Sequence, residues 1–149
     1  MKFLYHGSSR ELEGEKLIPH KGDDSDERPE NNLVAVYATD HRELAIVMAI
    51  IGCKDVVGGS IDEYFDDGSV NARLYGDYPK QEYIYLHYLP IEGFSQTKID
   101  KHQFVNPNPV KPIKTEKILI KDCHKLIRLA TEEETILWVR KYGSKNYNK

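Results

Sequence analysis

The sequence predicts an α+β fold of mostly antiparallel strands with two main helices. Three observations carry that prediction. Residues 82–89 alternate with a period of two, the rings of Tyr83, Tyr85 and His87 against Ile84, Leu86 and Tyr88, as a half-buried strand does. Asp40 with Glu43, and Thr131 with Glu134, have the spacing of a capping box, which marks two helix starts. No repeat and no low-complexity tract breaks the chain, so one mixed domain is expected over residues 1–149.

Taken in order, Phe3 to Tyr5 reads as a short buried strand stopped by Gly7 and two serines. Residues 23–32 are polar, with Pro29 and paired asparagines, and have no period that could bury a face; a surface loop is expected there. Leu33 to Ala38 is a compact apolar strand, rich in the β-branched valine that favours extended backbone. A helix should then begin at His41, with Leu44, Val47, Met48 and Ile51 as its buried stripe and Gly52 as its stop. Gly58-Gly59 and Asp66-Asp67-Gly68 read as turns around a short excursion at Ile61 to Phe65. After the strand ending at Leu89, Pro90 and Gly93 break the chain, and residues 106–112 carry three prolines that cannot donate to a ladder. That stiff segment leads to a strand at Lys117 to Ile120 with Glu116 at its entrance, and a last helix runs from Thr131 through Tyr142 to Gly143.

The composition narrows the functional classes. Forty per cent apolar and thirty per cent charged residues fit an ordinary globular protein. The longest apolar stretch, Leu44 to Gly52, is about half of what a bilayer needs, and the first residues turn polar too soon for a secretion signal, so no membrane partner and a cytoplasmic location are expected. With 24 acids against 21 bases, no overall field draws nucleic acid. Cys53 and Cys123 lack zinc-type spacing and are expected to be buried free thiols. No metal is expected: His20, His41, His87, His102 and His124 have no ligand spacing and no helical acid partner. No GxSxG surrounds any serine, and Asp66-Asp67-Gly68 lacks the further ligands of a calcium loop.

Candidate site residues stand at strand ends, where loops on rigid supports tend to carry function. His6 and Gly7 close one strand, Tyr37 closes another, and Glu116 opens a third after the proline-rich loop. In this order the segments Leu4-Tyr5-His6-Gly7-Ser8, Val36-Tyr37-Ala38-Thr39 and Thr115-Glu116-Lys117-Ile118-Leu119-Ile120 resemble the three motifs of the His-Tyr-Glu branch of the ADP-ribosyltransferase superfamily. That branch is shared by diphtheria-type toxins and poly-ADP-ribose polymerases. The small rifampin-modifying members are similar in size and layout and share the tyrosine-histidine-glycine triplet. The resemblance covers the three motifs and the helix after Tyr37, not residues 53–80.

The resemblance implies a split mixed fold of two packed, mostly antiparallel sheets with flanking helices, and transfer of ADP-ribose from NAD to an unidentified acceptor with release of nicotinamide. NAD is then a substrate, gripped by His6, Gly7, Ser8, Tyr37, Ala38 and Thr39. His6 would bond a ribose hydroxyl, Gly7 would leave its backbone open to the nicotinamide amide, Tyr37 would stack on the ring, and Glu116 would be the catalytic carboxylate. In the rifampin-modifying members the third residue is an aspartate reached earlier, so Glu92 and Asp100 compete with Glu116. The chemistry suits these side chains: nicotinamide leaves through a cationic ribosyl transition state that a carboxylate stabilises, and a tyrosine face is a flat, stiff platform.

Each residue also has an ordinary structural use, a backbone hydrogen bond for His6, a turn for Gly7, packing for Tyr37 and solvation beside Lys114 and Lys117 for Glu116. Two other readings stay open. An RNA 2'-phosphotransferase of the same superfamily grips its phosphate with arginines, of which this chain has six, scattered among acids. A binding module could keep the scaffold without the reaction.

Overall fold

The computed structural model describes residues 3–21 and 33–143. The expected loop at residues 23–32 and the tail after Gly143 lie outside the described residues. Among the described residues, ten strands and two α-helices follow in the order β1 (Leu4–Ser8), β2 (His20–Lys21), β3 (Val34–Thr39), α1 (Arg42–Ile51), β4 (Gly58–Tyr64), β5 (Val70–Tyr75), β6 (Tyr83–Leu89), β7 (Ser95–Gln96), β8 (Gln103–Asn106), β9 (Lys114–Leu119), β10 (Arg128–Leu129) and α2 (Glu132–Tyr142), with a 3-10 segment at Ile120–Leu126. The strands form two sheets. The larger runs β7-β8-β3-β1-β6-β9 with β2 also on β3, and the smaller runs β10-β5-β4. All pairings are antiparallel except that of β10 with β5. An α+β architecture of two mostly antiparallel sheets is therefore present.

Helix α1 lies between the sheets, touching β1, β3 and β6 on one side and β4 and β5 on the other. This explains why its burial is wider than a single stripe: Leu44, Ala45, Ile46, Val47, Ala49 and Ile50 are all buried. Met48, expected inside, is 48% exposed, because the residue falls on the narrow strip that neither sheet covers. The main core joins α1 to Ala72 and Leu74 of β5, Ile84 and Leu86 of β6, and Cys123 and Ile127. A second cluster, Leu4, Val36, Ala38, Leu89, Phe104 and Val110, also draws on strands of the large sheet. Both cysteines are buried and free, as expected. Burial pushes the Cys53 thiol up to about 12.

Three glycine readings need correction, and all for the same reason. Gly7 does not end β1 but lies inside it, opposite Leu86; a Cβ there would fall 2.0 Å from the Ala45 carbonyl oxygen of α1. Gly58 and Gly59 are not a turn but the start of β4, where a side chain would collide with the Trp138 ring at 2.2 Å and with Ile51 at 2.4 Å. In these places glycine permits close approach of a packed neighbour rather than chain reversal. Asp66-Asp67-Gly68 does form the expected turn, with Gly68 at φ 92° and its N–H donating to the Phe65 carbonyl at 2.9 Å.

The helix starts diverge. At α2 the box forms, the Glu134 N–H donating to Thr131 Oγ1 at 3.1 Å and the Thr131 N–H to Glu134 Oε1 at 2.9 Å. At α1 it does not. The helix begins at Arg42 after His41, with no side-chain cap, because the Asp40 carboxylate faces His102 instead. Glu116 is not at a strand entrance either: β9 begins at Lys114, and Ile120 already belongs to the 3-10 segment.

Candidate functional site

The large sheet parts between the strands that carry His6 and Tyr37. The ladder between β1 and β3 is limited to Tyr5 opposite Thr39. Beyond that position a side chain makes the link, His6 Nδ1 donating to the Tyr37 carbonyl at 2.6 Å. The bond places the proton on Nδ1 and leaves the lone pair of the neutral ring on Nε2. Burial pushes the His6 pKa down, the bond to Tyr37 opposes that, and the neighbouring His20 lowers it further. The ring is therefore neutral at physiological pH and its Nε2 is an acceptor.

His20, on β2, completes the patch. Its ring centroid is 6.3 Å from that of His6 and 6.2 Å from that of Tyr37. In the sequence His20 is one of five histidines without ligand spacing; what singles it out, its pairing opposite Ala35 of β3, is not visible in the chain order. The Tyr37 hydroxyl donates to the Leu33 carbonyl at 2.7 Å, which holds the ring in place.

The remaining expected NAD contacts are placed less favourably. The Cβ side of Gly7 is closed by α1. Ala38 is 6% exposed and belongs to the second core cluster, while the buried Thr39 uses its Oγ1 to accept from the His41 N–H at 3.1 Å. Ser8 Oγ donates to the Arg10 carbonyl at 2.8 Å.

Glu116 lies on the other face of the sheet. His6 pairs with His87, and His87 with Thr115, so those three side chains share a face, confirmed by the 2.7 Å bond between His87 Nδ1 and Thr115 Oγ1. The next residue of β9, Glu116, points oppositely. There its two oxygens accept from Arg42 of α1, both at 2.8 Å, and one accepts from the Tyr88 hydroxyl at 2.7 Å. The Arg42 bond holds the Glu116 carboxyl below its ordinary range; burial opposes this, and the Tyr88 bond adds to the lowering. The structure thus brings His6 and Tyr37 together and leaves Glu116 on the α1 side.

Neither competing acid joins the His6 patch by a bond the structure displays. Glu92 is exposed in the connection from β6 to β7. Asp100 accepts from the Tyr64 hydroxyl and from the His102 N–H. That second location is a polar corner in its own right. The His102 ring faces Asp40 Oδ1 at 2.9 Å through Nδ1 and Asp66 Oδ1 at 3.1 Å through Nε2.

A separate shallow cleft lies between α2 and β5, lined by Tyr75, Leu137, Trp138 and Tyr142. Its central charges, Arg73 and Glu134, neutralise each other at 2.8 Å, so it has no evident catalytic polarity.

Comparison of the chain with protein-family models, curated proteins and solved structures finds no match. No helix among the described residues is long and apolar enough to cross a membrane.

Proposed function

We propose that this chain binds NAD on an ADP-ribosyltransferase-like scaffold, at the patch formed by His6, His20 and Tyr37. The observation that carries the reading is the 2.6 Å bond from His6 Nδ1 to the Tyr37 carbonyl. It joins the first two motifs across the gap in the sheet and fixes the His6 tautomer, so that Nε2 accepts from a ribose hydroxyl. Tyr37 supplies the ring face against which nicotinamide stacks. The His6 to Tyr37 pair binds and orients; transfer of ADP-ribose to an acceptor needs, in addition, a carboxylate near the breaking bond.

Glu116 favours a second reading, a module that binds the dinucleotide without transfer. Its carboxylate is held by Arg42 on the α1 side and would have to leave that ion pair and pass to the other face to act. The phosphotransferase alternative is less well supported. Three of the six arginines, Arg42, Arg73 and Arg128, are each paired with carboxylates, which makes those three guanidinium groups less available to grip a phosphate.

The test is thermal denaturation with millimolar NAD, followed by incubation with NAD and chromatography of free nicotinamide. A rise in Tm that disappears in His6→Ala and Tyr37→Ala supports the site, through binding to the native form alone. Nicotinamide release together with that rise supports the transferase; the rise without release supports the binding module. An unchanged Tm overturns both.

A further inference from the structure

We propose that the corner where β3 enters α1 binds one divalent transition metal ion through Asp40, His41 and His102. These residues are 62 positions apart at the extremes, and strand pairing unites them. Thr39 lies opposite Gln103 in the β3 to β8 ladder, so the residues just beyond that pair, Asp40 and His102, are left facing each other. One potential ligand atom from each of Asp40, His41 and His102 lies within 4.8 Å of the other two. The His41 and His102 ring centroids are only 4.1 Å apart.

A second, independent observation points to a ligand. His41 is 6% exposed, and its Nε2 is buried without a hydrogen-bond partner. Leaving a buried polar nitrogen unpaired is unfavourable, and a metal ion is a partner that an imidazole lone pair satisfies directly. Asp40 adds negative charge at the same corner, 2.9 Å from His102 Nδ1.

The surroundings complete a coordination shell of a familiar kind. With His102 Nδ1 as ligand, its Nε2–H donates to Asp66 Oδ1, now 3.1 Å away. A carboxylate behind a ligating imidazole orients the ring and raises its basicity. Asp66 is held in turn by Lys101 Nζ at 3.0 Å. The nearest phenol, Tyr64, is engaged by Asp100 and is not needed as a ligand. Ligand atoms of a tetrahedral zinc site stand about 3.3 Å apart, given bond lengths of about 2.0–2.1 Å. His102 and Asp40 would separate by a few tenths of an ångström to admit the ion, and the proton between them would leave to solvent.

Two imidazoles and one carboxylate select zinc and its transition-metal neighbours over magnesium or calcium, which prefer oxygen throughout. Three protein ligands leave a fourth position for water. The ion would clip three separate pieces of chain, the β3 to α1 joint, the start of β8 and, through Asp66, the β4 to β5 turn.

The test is calorimetric titration of zinc chloride into the full chain after chelator treatment and dialysis, with circular dichroism confirming that each variant is folded. The expected result is one zinc per chain, with a visible ligand-field band when cobalt replaces zinc. Asp40→Asn and His102→Gln should weaken binding at least a hundredfold, Asp66→Asn by about 10- to 100-fold. His6→Ala should leave uptake intact, which separates this site from the His6 and His20 patch. Absence of stoichiometric uptake overturns the proposal and leaves His102 as a bridge between two aspartates only. Undiminished uptake in both Asp40→Asn and His102→Gln, or equal binding of magnesium chloride, overturns it as well.

Discussion

On one face of β6, His87 is fully shielded from solvent and bonds to Thr115. On the other face, one residue along, Tyr88 donates to Glu116, which Arg42 also grips at a site where both charged side chains are more than 40% exposed. Burial pushes the His87 pKa down to about 4, with His6 adding to the effect, whereas the Arg42 bond keeps Glu116 ionised. A neutral buried imidazole on one side and a solvated ion pair on the other arise from the two-residue period of a strand. The contrast teaches that segments which follow one another in an expected order along a chain can still face away from each other.

The strongest way to break this arrangement is to push α1 off the sheet. Gly7→Val should lower stability by about 3 kcal/mol or more, since its Cβ would meet backbone, Ala45 O at 2.0 Å, not a flexible side-chain end. Chemical denaturation measures the loss, and a change below about 1 kcal/mol would mean that the helix yields easily.

An effect of comparable size is expected from acid. The unfolded His87 takes up its proton near 6.5 and the folded one only near 4. Stability contributed by the neutral ring is therefore complete above pH 6.5 and is lost as pH falls toward 4, by about 3 kcal/mol. The depressed His6 acts in the same direction. His87→Leu should flatten much of that slope in denaturation midpoints measured across the interval; an unchanged slope would assign it to other groups.

The smallest effect is on the solvated face. Glu116→Gln should cost about 0.5 kcal/mol, as exposed ion pairs do, and should leave the NAD-induced rise in Tm unchanged if the nucleotide sits at His6 and Tyr37. A clear loss of that rise would place Glu116 back among the binding residues and sharpen the comparison in the opposite sense.

Much of the scaffold could be read in advance. The alternation around residue 84 specified β6, the valines of residues 34–36 belong to β3, and Thr131 with Glu134 marked α2 because a capping box is a local hydrogen-bond exchange. What escaped was set by tertiary partners. Asp40 had the capping spacing, but His102 lies opposite and its ring takes the carboxylate. Gly7, Gly58 and Gly59 looked like punctuation because nothing local reveals the helix, the Trp138 ring or the Ile51 side chain that requires their bareness. The short strands β2 and β7 have only two residues each and no period to detect. For the site, the neighbourhood of His6 and Tyr37 was legible from motif order; the contribution of His20, the orientation of Glu116 and the meeting of Asp40, His41 and His102 depended on register.

The contact between Gly58 and Trp138 has a practical consequence. Trp138 is the chain's one tryptophan, and its indole lies over the bare backbone of β4 while stacking on Tyr75 with centroids 5.0 Å apart. Its fluorescence emission therefore reports whether α2 is seated on the small sheet, without any label. A red shift that precedes the loss of far-ultraviolet helix signal during denaturation would reveal the terminal helix detaching before the rest of the molecule melts.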